Sequence, residues 1–291
     1  MAKVFLDYDQ KALDDAYDQA IYAPNRDQIL ARLARTSELA RQRLGPPEVH
    51  SYGDSPIERL ELYRCSRENA PLNVFIHGGA WRAGSARDYG FPAEMHMNAG
   101  VHFAAVDFND VLETGGDLLP MAGQVRKAIA WAWRNAAKLG ADASRIYVSG
   151  TSSGAHLAGV AATTDWAEFG LPEKPVRGYV LGSGMYDLRG PRLSKRSSYV
   201  KFSDAAEEAL SPQRHLARIN APIVLLVGSL ETPEFQRQTR EFADALTRAG
   251  KIAELVYAEG YNHFELAETL GNPYGPMGRA VLALIRGQGR N

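Results

Sequence analysis

Cysteine is nearly absent: Cys65 stands alone in 291 residues. No intramolecular disulfide can form, and no cysteine cluster has zinc-ligand spacing. That argues against a disulfide-stapled secreted scaffold and points to a reducing compartment, the cytoplasm. Long apolar runs are missing too. No stretch approaches the roughly 20 apolar residues that span a bilayer, and the acidic, amphipathic opening MAKVFLDYDQKALDDAYDQA lacks the apolar core of a signal peptide. A soluble chain with no membrane partner is expected. Nor is one sign of charge in excess. The formal net charge is −1, with Lys and Arg spread along the chain, so nothing resembles a basic surface for nucleic acid. Repeats, low-complexity tracts and Pro/Gly-rich linkers are also lacking, which argues against a structural or scaffolding role.

What is present suits a folded enzyme. Hydrophobic residues make up 45% and charged residues 23%, enough to bury a sizeable core. The length fits one large α/β unit, so residues 1–291 are read as a single domain, with 1–48 as an N-terminal helical extension packing on the core or pocket. Apolar positions at helical spacing from about Gln10 to Leu44, such as Ile29, Leu30, Leu33 and Leu39, predict that helical segment. Gly45-Pro46-Pro47 ends it, and ERLELYRC then alternates as a half-exposed strand does. Further on, LNVFIHGG, VHFAAVDF, RIYVSG, VRGYVLGSG, PIVLLVGS and AELVYAEG alternate with helical stretches, among them Gln124 to Leu139 and Phe235 to Ala249, each followed by a glycine. The pattern predicts βαβ units and a mostly parallel sheet covered by helices on both faces.

Three features carry chemistry. Gly150-Thr151-Ser152-Ser153-Gly154 joins the strand RIYVS to the helical run AHLAGVAA. A serine at such a strand-to-helix turn is held in a strained backbone with its hydroxyl presented at the sheet's C-terminal edge, the arrangement called a nucleophile elbow. The positive end of the following helix favours developing negative charge there. Ser152 is therefore the candidate nucleophile. An ordinary tight turn with a solvated serine is the bland alternative, and the flanking strand and helix weigh against it. His77-Gly78-Gly79-Ala80-Trp81 follows the strand VFI; its glycines expose backbone N–H groups that can hold an oxyanion, and Gly78, Gly79 and Ser153 are assigned to that hole. Third, a carboxylate and then a histidine follow later strands: Glu231 after PIVLLVGS and His263 after AELVYAEG. Serine, acid, histidine is the chain order of the α/β-hydrolase fold. Glu234 and Asp187 are the competing acids. His263 would take the Ser152 proton and return it to the leaving group while the acid orients the ring. No metal or organic cofactor is needed.

Of the other histidines, His77 is expected to brace the glycine loop, and His156, one turn past the nucleophile, to be structural. Gly182-Ser183-Gly184 lacks the third glycine of a dinucleotide fingerprint and is set aside. Trp81 and Tyr186 are placed in the pocket wall, Trp81 as a surface for an aromatic leaving group.

With these residues in place, the chain resembles the kynurenine formamidase (arylformamidase) group of α/β-hydrolases, close to the hormone-sensitive-lipase-like esterases. HGGAW at His77 to Trp81 matches that group's H-G-G-x-W signature, VSGTSSGAHLA its nucleophile segment, and GYNHFEL its histidine turn. LVGSLETPEFQRQTREF is similar to its acid loop, with Glu231 where an aspartate is usual, and ALDDAYD is similar to its N-terminal region. The resemblance implies hydrolysis of N-formylkynurenine or of short-acyl carboxylic esters, a small-molecule ester or amide as the partner. DFNDVLE departs from the D-Y-R-L-A-P of relatives and leaves the neighbouring pocket, and so the substrate, undetermined. Whether the chain pairs as a homodimer is not legible. The alternatives are a catalytically silent α/β-hydrolase that binds a small molecule, and carbon–carbon or dehalogenating chemistry; the latter would want a carboxylate at Ser152.

Overall fold

The apolar runs pair into one sheet, as a computed structural model of residues 2–287 shows. Its strands are β1 (Glu48–Ser51), β2 (Arg59–Tyr63), β3 (Ala70–Ile76), β4 (His102–Val106), β5 (Ala141–Thr151), β6 (Gly178–Gly182), β7 (Ile223–Gly228) and β8 (Ala253–Ala258), in the order β1-β2-β4-β3-β5-β6-β7-β8. The pairs β1/β2 and β2/β4 are antiparallel and every later pair is parallel. This is the α/β-hydrolase architecture expected from the alternation of strands and helices. Every residue of β3 and β4 is buried, as parallel strands covered on both faces must be.

Period-two alternation splits the core in two. Leu72, Val74 and Ile76 of β3 face one cluster, shared with helices α4 (Leu119–Asn135), α5 (Ser153–Ala162) and α8 (Pro233–Arg248). Phe75, between them, faces the other, shared with α3 (Ala93–Asn98), α9 (His263–Glu268) and α10 (Pro276–Arg286). Cap chemistry sets several boundaries. Thr232 caps α8 through the Phe235 N–H ahead of Pro233, and Asn262 with Glu265 forms a reciprocal capping box on α9.

The N-terminal stretch expected as one helical segment from Gln10 to Leu44 is broken. It runs as α1 (Gln10–Ala16), a 3-10 turn over Gln19–Tyr22, and α2 (Arg26–Leu44). Asp18 turns the chain by accepting from Ala20 N–H, and Pro24 disfavours helix in the residue before it. Strand β1 and helix α10 went unrecognised at the sequence level: β1 is four residues with an exposed apolar side chain at Val49, too short to show a period. No helix among the described residues is long and apolar enough to cross a membrane.

Candidate active site

Five loops leave the C-terminal ends of the parallel strands and meet over the middle of the sheet, where ligands of open α/β folds bind. They follow β3, β5, β6, β7 and β8, and they bring together residues from His77 to His263. A cleft of about 730 Å³ lies there, lined by Gly78, Gly79, Ser152 and His263 among others. A second cavity of about 690 Å³ lies at the N-terminal ends of β5 to β8 and is lined by Arg145, Arg177 and Arg279. It holds no histidine, so it has no imidazole base to offer.

Ser152 stands at the N-cap position of α5, its side chain making no capping bond, with φ +56 and ψ −125, a conformation that costs a non-glycine residue about 1–3 kcal/mol and must be imposed by its surroundings. The surroundings are tight. A Cβ on Gly154 would lie 2.1 Å from the Ile76 carbonyl oxygen, so only glycine lets the start of α5 press against the end of β3. The Ser152 N–H donates to the Gly182 carbonyl at 2.8 Å, anchoring the elbow to β6.

The glycine loop is equally constrained. Gly79, Ala80 and Trp81 take positive φ in succession, +125, +55 and +64. A Cβ on Gly79 would come within 1.9 Å of the Ala83 carbonyl oxygen. The loop is held by Val111 N–H donating to the Trp81 carbonyl at 2.7 Å and by His77 Nδ1, 2.8 Å from the Gly78 carbonyl. Burial holds His77 below the usual histidine range, so it braces the loop as a neutral ring. Among the described residues, the backbone N–H groups of Gly78, Gly79 and Ser153 donate to no backbone acceptor.

Of the three candidate acids, Glu231 is the one that meets His263: Nδ1 and Oε2 are 2.7 Å apart. A carboxylate only accepts, so Nδ1 carries the hydrogen and Nε2 is left as the acceptor. Glu231 is buried and well satisfied. Gln19 Nε2 donates to the same Oε2 at 2.9 Å, while Ser183 Oγ (2.5 Å) and Gly228 N–H (2.8 Å) donate to Oε1. Glu234 instead takes hydrogen bonds from Tyr17 Oη and Arg237, and Asp187 is paired with Arg214 at 3.1 Å. Ser152 and His263 share the cleft, but no hydrogen bond joins their side chains among the described residues; catalytic contacts of this kind often close only on a bound substrate. Phe235 and Phe264 set their rings edge-on to His263, at 5.1 and 5.2 Å.

Trp81 and Tyr186, expected in the pocket wall, are elsewhere. Trp81 is 1% exposed; its Nε1 donates to His156 Nδ1 at 3.1 Å, and its ring meets those of His156 and Phe202 edge-on. His156 Nε2 lies 2.8 Å from the Leu210 carbonyl, and burial pushes this histidine down to about 4, consistent with a neutral structural ring. Tyr186 is fully buried and stacks on Phe242 at 4.4 Å. A large aromatic beside a functional loop has more apolar surface to bury than a wet cleft removes from water, and here packing wins. The wall is made instead by residues such as Tyr17, Leu33, Tyr89, Arg196 and Tyr199.

Gln19 and Ser183 were missed as site residues. Ser183 stands in the Gly182-Ser183-Gly184 triplet, whose sequence resembles only a partial nucleotide fingerprint; with a positive φ of +58 its hydroxyl donates to Glu231. Gln19 gives no local signal, because its role depends on a contact 212 residues away.

Known proteins resemble this chain in sequence and in fold. The BD-FAE family model matches residues 60–176. A kynurenine formamidase of Salmo salar is 30% identical over 246 residues, which cover 81% of this chain and 79% of that protein. One from Danio rerio is 29% identical over 75% of both chains. The crystal structure of esterase LipW from Mycobacterium marinum superposes with a TM-score of 0.71 at 21% identity, covering 91% of this chain and 87% of that one, a likeness of fold. Sequence and architecture thus converge: this chain is a hydrolase of the α/β-hydrolase fold and belongs to the kynurenine formamidase family.

Proposed function

We propose that the chain hydrolyses a small ester or aryl formamide through an acyl-enzyme on Ser152, with His263 as base, Glu231 as orienting acid and the Gly78, Gly79 and Ser153 N–H groups as oxyanion hole. The observation that carries this reading is the 2.7 Å contact of His263 with Glu231, at the rim of the cleft that holds a serine at positive φ. His263 Nε2 takes the Ser152 hydroxyl proton as Oγ attacks the acyl carbon. The carbonyl π electrons move to oxygen, and the three N–H groups donate hydrogen bonds to the resulting oxyanion; losing one such donor typically costs about 100 to 1,000-fold in rate. Collapse breaks the bond to the leaving alcohol or arylamine, which accepts the proton from His263. Water, deprotonated by the same imidazole, then releases the acid and restores Ser152. Serine chemistry of this kind calls for neither metal nor organic cofactor. The kynurenine formamidase relatives favour an aryl formamide, and the esterase likeness keeps short acyl esters in range.

The test is a side-by-side assay of p-nitrophenyl acyl esters and N-formylkynurenine, with a fluorophosphonate probe read by mass spectrometry. Hydrolysis of either substrate and an adduct on Ser152 are expected, and Ser152→Ala should lose kcat by about 10⁴-fold or more while remaining folded. An unlabelled, inert wild type that still binds these molecules would replace the hydrolase reading with a binding protein.

A further inference from the structure

Arg196 is a cation in an unusual place. It is 6% exposed, yet it lines the cleft that holds Ser152 and His263. Its guanidinium lies over the rings of Trp81 (5.4 Å) and Phe235 (5.9 Å), and Phe235 in turn packs on His263. The polar contacts it makes are to neutral groups: Nη2 donates to the Tyr17 carbonyl at 3.0 Å and Nη1 to Tyr199 Oη at 2.9 Å. Its Nε finds no partner. A guanidinium has five N–H donors, so most of its donating capacity is unspent. No carboxylate forms a salt bridge with Arg196 among the described residues; Asp18, beside it in the cleft lining, is bound by Lys195. A second cation, Arg82, stacks over the other partner, the Tyr199 ring, at 4.5 Å. Arg26, Arg82, Lys195 and Arg196 line the cleft against only Asp18 and Asp88.

A buried charge without a counter-ion is costly, and a protein ordinarily supplies the opposite charge itself. Here the opposite charge of Asp18 reaches Arg196 only through space, its carboxylate being bonded to Lys195, and the guanidinium, with Nε unpartnered, stands in the lining of the cleft that holds Ser152 and His263. We infer that Arg196 is the anchor of an anion subsite, and that the preferred substrate carries a carboxylate on an apolar body, its charge met by the guanidinium while its acyl carbon lies at Ser152. The planar guanidinium fork suits a carboxylate better than an ammonium would. Arg82, over the Tyr199 ring and in the same cleft lining, attracts the same charge. This inference rests on reading the cleft as the substrate site.

Inhibition of p-nitrophenyl acetate hydrolysis by 4-phenylbutyrate and by its uncharged amide isolates the charge. The acid should inhibit wild type about 10 to 100-fold more strongly than the amide. Arg196→Gln should bring that ratio close to one, whatever its effect on overall rate, and Arg196→Lys should keep part of it. Equal inhibition by the two compounds in wild type, or an unchanged ratio in folded Arg196→Gln, would overturn the subsite. If Arg196→Gln does not fold, the wild-type ratio decides alone. Calorimetric binding of the same pair to wild type separates the two ideas: an inert enzyme that still prefers the acid loses the hydrolase reading and keeps the subsite, whereas an active one without the preference does the reverse.

Discussion

At Ser152 the protein holds a side-chain-bearing residue where glycine would be at ease, with φ +56. Replacement by glycine therefore separates stability from chemistry. Ser152→Gly should raise the unfolding free energy by about 1 kcal/mol, read by urea titration, as strain is relieved and despite the added backbone entropy of glycine, while hydrolysis disappears. A less stable Ser152→Gly would mean the strain is not stored there. Trp81 makes the opposite case. Being buried and bonded to His156, it contributes through packing and one hydrogen bond, so Trp81→Phe should lower stability by about 1–3 kcal/mol by leaving the His156 acceptor unmet. KM on aryl and alkyl esters should shift together. A rise in KM confined to aryl substrates would restore Trp81 to the pocket wall.

Elements, rather than residues, set how closely the elbow and the glycine loop can approach. Gly154 lets α5 rest against the end of β3, and a methyl group there meets the backbone oxygens of Ile76 and His77 at 2.1 and 2.4 Å. Backbone cannot swing aside as a flexible side chain does. Gly154→Ala should thus cost at least the upper part of the ~1–3 kcal/mol typical of overpacking, with activity falling as Ser152 is displaced; a thermal melt matching wild type would contradict this. The elements carrying these contacts were largely legible in the sequence. The runs LNVFIHGG and RIYVSG are apolar at nearly every position because both faces of their strands are covered, and the glycines around Ser152 mark the turn between strand and helix. The break between α1 and α2 was not legible, since Asp18 and Pro24 compete with a helical pattern that continues on either side. Gln19 could not be read at all: its partner is fixed by tertiary folding, and a lone glutamine carries no periodicity. The same holds for Arg196, whose meaning depends on which groups do and do not bond to it in the folded chain.

Across the whole molecule, neutral histidines are built into both cores. His96, on α3, shares a buried network with Asn73, and His156 supports Trp81; burial pushes each down to about 4, against about 6.5 in an unfolded chain. Between those values the unfolded chain takes up protons that the folded one refuses, so their contribution is full above about pH 6.5 and is lost as pH falls toward 4. Each should remove about 1.4 kcal/mol of stability per pH unit in that window. Denaturant unfolding at pH 7.5 and pH 5 should differ accordingly, and His156→Gln should shrink the difference by about 2 kcal/mol; an identical pH dependence in wild type and variant would discount His156. The wiring of Glu231 has a different outcome. It joins Gln19, 212 residues before it, to His263, 32 residues after it. While the polypeptide is still emerging from the ribosome, the serine corner is made long before its imidazole exists. With the triad proposed above, a nascent chain is chemically mute, and it gains the power to cleave only when its early and late segments have closed on each other.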